Sequence, residues 1–279
     1  MANDNIFETG VYTPGMDELS TKGSNKLLNI IFIIDVSGSM ILQTNGKSRI
    51  EAVNDALTQM IPALRQVQID CMSKFELRIS IMTFDYDARW IVDPTPIMEY
   101  NHEDIDCSKY QTMYGKAFDK LNEKLTRSEF MAHVGKIAAP YIMFLTDGEP
   151  TDVGDYEAAI DRLLKNGWFV KSQRFAVLMG DEAINNDLAR RAVSRFVSDP
   201  VEGIIDAADA ATIAAEVQAK TLHTIEVQTR HAVADEESDT EEGSNEGSNN
   251  NAGNNGGGFG GFGDFDPKKD INDGDIIFV

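Results

Sequence analysis

Apolar positions along this chain follow two rhythms. Leu27-Leu28-Asn29-Ile30-Ile31-Phe32-Ile33-Ile34 is a nearly continuous apolar run, rich in Ile and without alternation, which reads as a strand covered on both faces. Pro140-Tyr141-Ile142-Met143-Phe144-Leu145 and Phe175-Ala176-Val177-Leu178-Met179 share that character, and Gly203-Ile204-Ile205 is a shorter piece of it. Leu77-Arg78-Ile79-Ser80-Ile81-Met82-Thr83-Phe84 alternates in part. The turn residues Asp85-Tyr86-Asp87 follow, and Ala88-Arg89-Trp90-Ile91-Val92 returns as an antiparallel edge strand.

Helical spacing fills the intervals. Ser48-Arg49-Ile50-Glu51 has the form of a capping box and opens a helix towards residue 68, with Pro62 expected to kink or split it near Met60. Further helices are expected over 117–125, over 156–166 with Gly167 as the C′ residue, and over 186–197 with Leu188, Ala192 and Phe196 on one face. An Ala-rich helix runs from 208 to about 224. Strands alternating with helices predict an α/β, Rossmann-like fold. Its sheet has six mainly parallel strands and one antiparallel edge, with helices on both faces.

The chemistry gathers where apolar runs end. The first strand closes on Asp35-Val36-Ser37-Gly38-Ser39-Met40, which delivers one carboxylate and two hydroxyls to the carboxyl end of the sheet, where ligand sites of open α/β sheets lie. Asp35, Ser37 and Ser39 alternate, so a gently turning backbone points them the same way. Three hard oxygen donors in so short a span suit Mg²⁺. A later strand ends in Thr146-Asp147-Gly148-Glu149-Pro150-Thr151-Asp152, and Thr112 precedes a helical segment between the two. Asp35, Ser37 and Ser39 could each cap a helix, although one cap does not call for three oxygen residues plus Asp147. For Thr112 an N-cap role is nearly as good a reading as a metal role, and the two are compatible.

These pieces, in this order and each at an element end, resemble the von Willebrand factor A (vWA) domain with its metal-ion-dependent adhesion site. The resemblance covers roughly Asn25 to Glu226, and composition sets a polar arm (1–24) and a tail (231–279) apart from the expected vWA domain (25–230). It implies that Ser37 and Ser39 bind Mg²⁺ or Mn²⁺ directly, and that Asp35 and Asp147 act mostly through metal-bound waters. Thr112 would bind directly or through water, leaving one position for an Asp or Glu of a partner protein. Many members carry Gly-Gly before this threonine, where this chain has Tyr110-Gln111. The first-strand motif, Glu51-Ala52-Val53-Asn54, Thr83-Phe84 and the 145–152 run look most like bacterial cytoplasmic members associated with tellurium resistance and stress. Such members are often linked to a Ser/Thr kinase and a phosphatase, which implies a signalling adaptor. A vWA subunit of an AAA-ATPase or chelatase complex is the alternative with the same metal site. A Mg²⁺-dependent phosphohydrolase is the enzymatic alternative, but position 37 is Ser where an Asp-x-Asp pair would need Asp, and there is no G-x-x-x-x-G-K-[ST] loop. The four histidines lack ligand spacing. The chain is therefore read as a binding module and not an enzyme.

Charge sharpens this picture. The net charge of −21 argues against nucleic acid and anionic membrane surfaces as partners. From Val233 onward there are 12 acids and 2 lysines, a net −10, in a segment rich in Asn, Gly and Ser that is expected to stay unfolded. Its end, Asp275-Ile276-Ile277-Phe278-Val279, is apolar enough to act as a docking peptide. Two cysteines, no signal peptide and no apolar stretch of membrane-spanning length are expected of a cytoplasmic protein.

Overall fold

The computed structural model describes residues 26–241 apart from residues 72, 73, 109 and 134. The expected arm, the docking peptide and the tail beyond residue 241 lie outside the described residues.

The first apolar run forms β1 (Lys26–Asp35) at the centre of the sheet, with Leu27 to Asp35 all buried. A short hairpin follows, β2 (Gln43–Thr44) with β3 (Lys47–Ser48), where the sequence reads only as a polar loop. Its turn places Asn45 and Gly46 at positive φ, which is turn geometry for an Asn-Gly pair. Ser48 then caps α1 (Arg49–Asp70) through the full capping box, the Ser48 N–H donating to Glu51 Oε2 at 2.6 Å. Pro62 neither ends nor splits α1. Ile61 and Leu64 on either side of it are buried against the sheet, and that burial outweighs the lost backbone bond.

The expected hairpin is β4 (Phe75–Phe84) with β5 (Ala88–Pro96), antiparallel and irregular near Ile81. Next come α2 (Tyr114–Lys124), β6 (Tyr141–Thr146), α3 (Val153–Leu163) and α4 (Gly167–Lys171). Gly167 is not the end of a helix. Asn166 accepts from the N–H groups of Trp168 and Phe169, so a second short helix starts there. The chain continues through β7 (Gln173–Met179), α5 (Asp181–Ile184), α6 (Asp187–Phe196) and β8 (Ile204–Ala207) to α7 (Ala210–Glu241). The last helix runs well past residue 224. Buried residues recur at Ile213, Val217, Thr221, Ile225 and Thr229, so its inner stripe continues at four-residue spacing. The helix also carries part of the acidic run, across the boundary drawn at residue 230, where Ala and Glu favour helix despite the like charges.

Six strands make one sheet in the order β5-β4-β1-β6-β7-β8, parallel except for β5. Leu28, Ile30, Phe32 and Ile34 face α1 and α7, while Leu27, Ile31 and Ile33 face α2, α3 and α6. This two-sided burial is why β1 shows no alternation. The chain leaves β1 towards β4 on one side and reaches β6 on the other. The carboxyl ends of β1, β4 and β6 therefore flank the topological switch point, where open α/β sheets hold ligands.

Candidate metal centre at the carboxyl end of the sheet

Asp35 is the last residue of β1 and is fully buried; Asp147 directly follows β6 and is 3% exposed. Parallel pairing of Ile34 with Leu145 brings the two strand ends level. Beyond Asp35 the backbone stays tied to β4 by Val36 N–H donating to Phe84 O, then turns through a 3-10 segment, Gly38–Ile41. Ser37 sits at the N-cap position of that segment without a side-chain cap bond, which leaves its hydroxyl for the rim. Its N–H donates to Asp35 Oδ1 at 2.8 Å. The Ser37 and Ser39 hydroxyls lie 3.2 Å apart, and Ser39 Oγ donates to Asp147 Oδ1 at 2.6 Å. Asp35, Ser37, Ser39 and Asp147 thus form one cluster of oxygens from residues 108 or more positions apart in part.

A buried hydroxyl relay supports this cluster from below. Thr146 Oγ1 donates to Asp35 Oδ2 at 2.7 Å, and Tyr114 OH donates to Thr146 Oγ1 at 3.1 Å and to Gly148 O at 2.7 Å. Burial, and then repulsion from Asp147, push the Asp35 carboxyl up to about 7. The half-buried Cys107 thiol feels the same field: burial first, then Asp147 and Asp35, push it up to about 12.

One charged side chain at the rim escapes the sequence reading. Arg49, the first residue of α1, is 2% exposed, and its Nη1 donates to Asp147 Oδ2 at 2.8 Å. Its Nη2 donates to Glu182 Oε2 at 2.5 Å. Burial works against its charge, but the bonds to the two carboxylates outweigh it and hold its pKa above the ordinary value. The signal was present in the sequence: a cation in the first turn opposes the helix dipole and wants another reason to be there.

Thr112 reaches the rim differently. It is buried, and its Oγ1 lies 3.9 Å from where a Cβ on Gly148 would stand, next to Asp147. It is not a helix cap: Met113 holds the N-cap position of α2 and no side chain of its own caps the helix. Asp152 does so from another loop, accepting from Tyr114 N–H at 3.1 Å and Gly115 N–H at 2.8 Å. Thr151 adds two bonds to Thr112 O, from its N–H at 2.9 Å and its hydroxyl at 3.0 Å. Gly115 is required at this crossing, since a Cβ there would stand 2.8 Å from Asp152 Oδ2 and 3.1 Å from backbone of α3. The sequence reading includes Thr151 and Asp152 in the strand-end run but gives them no role.

The comparisons agree with this architecture. Residues 30–149 match the family model of the von Willebrand factor type A domain. No curated protein matches the chain. Among solved structures, a von Willebrand factor type A protein from Catenulispora acidiphila is similar at 16% identity and a TM-score of 0.52, covering 72% of this chain and 43% of that one. The pilus adhesin SpaC from Lactobacillus rhamnosus GG is similar at 13% identity and a TM-score of 0.55, covering 74% of this chain and 31% of that one. Proximal thread matrix protein 1 from the mussel byssus, solved with a zinc-occupied MIDAS motif, is similar at 13% identity and a TM-score of 0.50, covering 73% of this chain and 47% of that one. The chain therefore spans less than half the length of these structures.

Proposed function

We propose, from the premise that this chain carries a von Willebrand factor type A domain, that its rim holds Mg²⁺ or Mn²⁺ and that the protein binds a partner there. The observation that carries the reading is the convergence of two buried carboxylates and two hydroxyls on one point of the switch crevice. The donor set fits the ion: every candidate donor is a hard oxygen. The carboxylates also stand close enough for Asp147 to raise the Asp35 pKa, a repulsion that a cation relieves. The ion, when bound, supplies a Lewis-acidic position open to an Asp or Glu of a partner protein.

The chain's own residues divide the work. Ser37 and Ser39 present their hydroxyls, and Asp35 and Asp147 supply the charge. Thr112 offers a further hydroxyl from a separately anchored loop. Thr146 and Tyr114 orient Asp35 from behind. We read the module as non-enzymatic, because the first strand ends in Asp35-Val36-Ser37 where an Asp-x-Asp phosphohydrolase pair would need a second Asp, and the sequence has no G-x-x-x-x-G-K-[ST] phosphate loop. The two cysteines are free, which supports a reducing, cytoplasmic setting. Among the described residues no helix is long and apolar enough to cross a membrane. The motif likeness to bacterial tellurium-resistance and stress-associated members supports an adaptor role beside a Ser/Thr kinase and a phosphatase.

Calorimetric titration of Mn²⁺ into wild type and Asp35→Ala tests the site. Wild type is expected to bind one ion and the variant none, while circular dichroism shows both folded. Equal affinities overturn the reading. Capture of partners from native cells with and without EDTA tests the role: an EDTA-sensitive kinase or phosphatase supports it, and a large ATPase selects the chelatase-type alternative.

A further inference from the structure

We infer that Arg49 is the resident counter-cation of the rim: it holds Asp147 in place when no divalent ion is bound and lowers the affinity with which the rim takes one. The inference rests on the metal-binding reading above.

Nothing local accounts for an arginine at this position. It opens α1, where the helix dipole disfavours positive charge, and it is buried, where any charge is disfavoured. The fold nevertheless makes room for it. Gly180, which follows β7, has φ +86°, and a Cβ there would collide with the Arg49 guanidinium. The guanidinium is seated by charge and not by full hydrogen bonding, since its buried Nε has no partner among the described residues. What it does reach is Asp147 Oδ2 at 2.8 Å and Glu182 Oε2 at 2.5 Å.

Both oxygens of Asp147 are thereby engaged, Oδ1 accepting from Ser39 and Oδ2 from Arg49. A divalent ion arriving at the hydroxyls draws on the same carboxylate charge and meets a fixed positive charge one residue behind it. With the Arg49 and Asp147 side chains both buried, that repulsion is weakly screened. Arg49 therefore stabilises the metal-free rim and opposes the loaded one. Glu182, with its side chain 71% exposed, offsets part of the opposition from the solvent side. The two side chains should thus move metal affinity in opposite directions, which a purely structural role would not produce.

The test is calorimetric titration of Mn²⁺ into the full chain as wild type, Arg49→Gln and Glu182→Gln at fixed pH and salt, with metal-free melting of each. Arg49→Gln is expected to bind about tenfold tighter than wild type, and Glu182→Gln about twofold to threefold weaker. Metal-free Arg49→Gln is expected to melt lower than wild type, with Mn²⁺ returning most of the loss. Arg49→Gln binding no tighter than wild type, while wild type binds, overturns the inference and leaves the metal site standing. If Arg49→Gln binds where wild type is silent, the counter-cation role is supported. If neither binds, the metal reading falls and this inference with it. Should Arg49→Gln fail to fold, Glu182→Gln decides: weaker binding supports the role, and unchanged or tighter binding overturns it.

Discussion

The two halves of the rim are built by different means. Asp35 and Asp147 stand at the ends of adjacent central strands, and the parallel register of β1 with β6 sets their spacing. Thr112 stands at the end of a long connection between β5 and α2 whose described residues form no helix or strand. That connection is held by side chains from elsewhere. Asn54 of α1 accepts from Ile105 N–H at 2.9 Å and donates to Ile105 O at 3.0 Å. Arg65 donates to Tyr100 O at 2.5 Å, Met113 N–H donates to Asp85 O, and Asp152 caps α2. A strand-end residue inherits its position from the whole sheet. A loop residue keeps its position only as long as a few side-chain-to-backbone bonds survive, so this half of the rim should be the easier one to displace.

The largest expected effect comes from removing the trans cap. Asp152→Ala leaves the Tyr114 and Gly115 N–H groups buried without an acceptor, and is expected to cost about 3 kcal/mol in denaturant unfolding. It should also weaken Mn²⁺ binding, whereas the Asp35–Thr146 bond should persist. A loss below about 1 kcal/mol would show that α2 does not depend on this cap.

Asn54→Ala attacks the same loop from the other side and is expected to cost about 2 kcal/mol, because the Ile105 N–H loses its buried acceptor. Hydrogen exchange should then quicken across residues 100–108 and remain slow in β1 and β6. Equal quickening in all three would erase the distinction between the two halves.

Gly115→Ala is expected to cost about 1–2 kcal/mol by pushing the Asp152 carboxylate and α3 away from α2. Alanine tolerated without loss of stability would mean the two loops are not tightly crossed.

The smallest effect is a pH dependence. His102 Nε2 lies 3.2 Å from Asn54 Oδ1 and Nδ1 lies 2.9 Å from Tyr100 OH, and burial lowers its pKa below the usual 6.5 despite the opposing Asp104. A depressed histidine pKa means the unfolded chain takes up the proton first. Its contribution is therefore present above about pH 6.5 and lost as the pH falls below it. Half-exposure keeps it under about 1 kcal/mol. The stability difference between wild type and His102→Gln should shrink from pH 8 to pH 5; a difference that widens would give the histidine the opposite sign.

Strand-end chemistry was legible because β1, β6 and β7 are covered on both faces, and two-sided burial leaves an unbroken apolar run whose last residue marks the rim. The antiparallel edge and the capping box at Ser48 followed from the same local patterns, whereas the order of the strands came only with the fold. Three local expectations gave way to tertiary packing, for Pro62 only as far as a split of the helix. Pro62 sits inside α1 because the helix is pressed onto the sheet on both sides of it. Gly167 starts a helix because Asn166 caps it. The last helix outruns residue 224 because its buried stripe does.

The sequence by itself determined which oxygens could meet: Asp35, Ser37, Ser39 and Asp147 lie at element ends that any parallel α/β sheet brings to one side. Only the tertiary structure decided what surrounds them. Arg49 faces Asp147 across 98 positions of chain, and Asp152 caps a helix 37 to 38 positions upstream. Such partners leave no periodic trace, because their pairing depends on how helices and loops pack over the sheet and not on the repeat of either element.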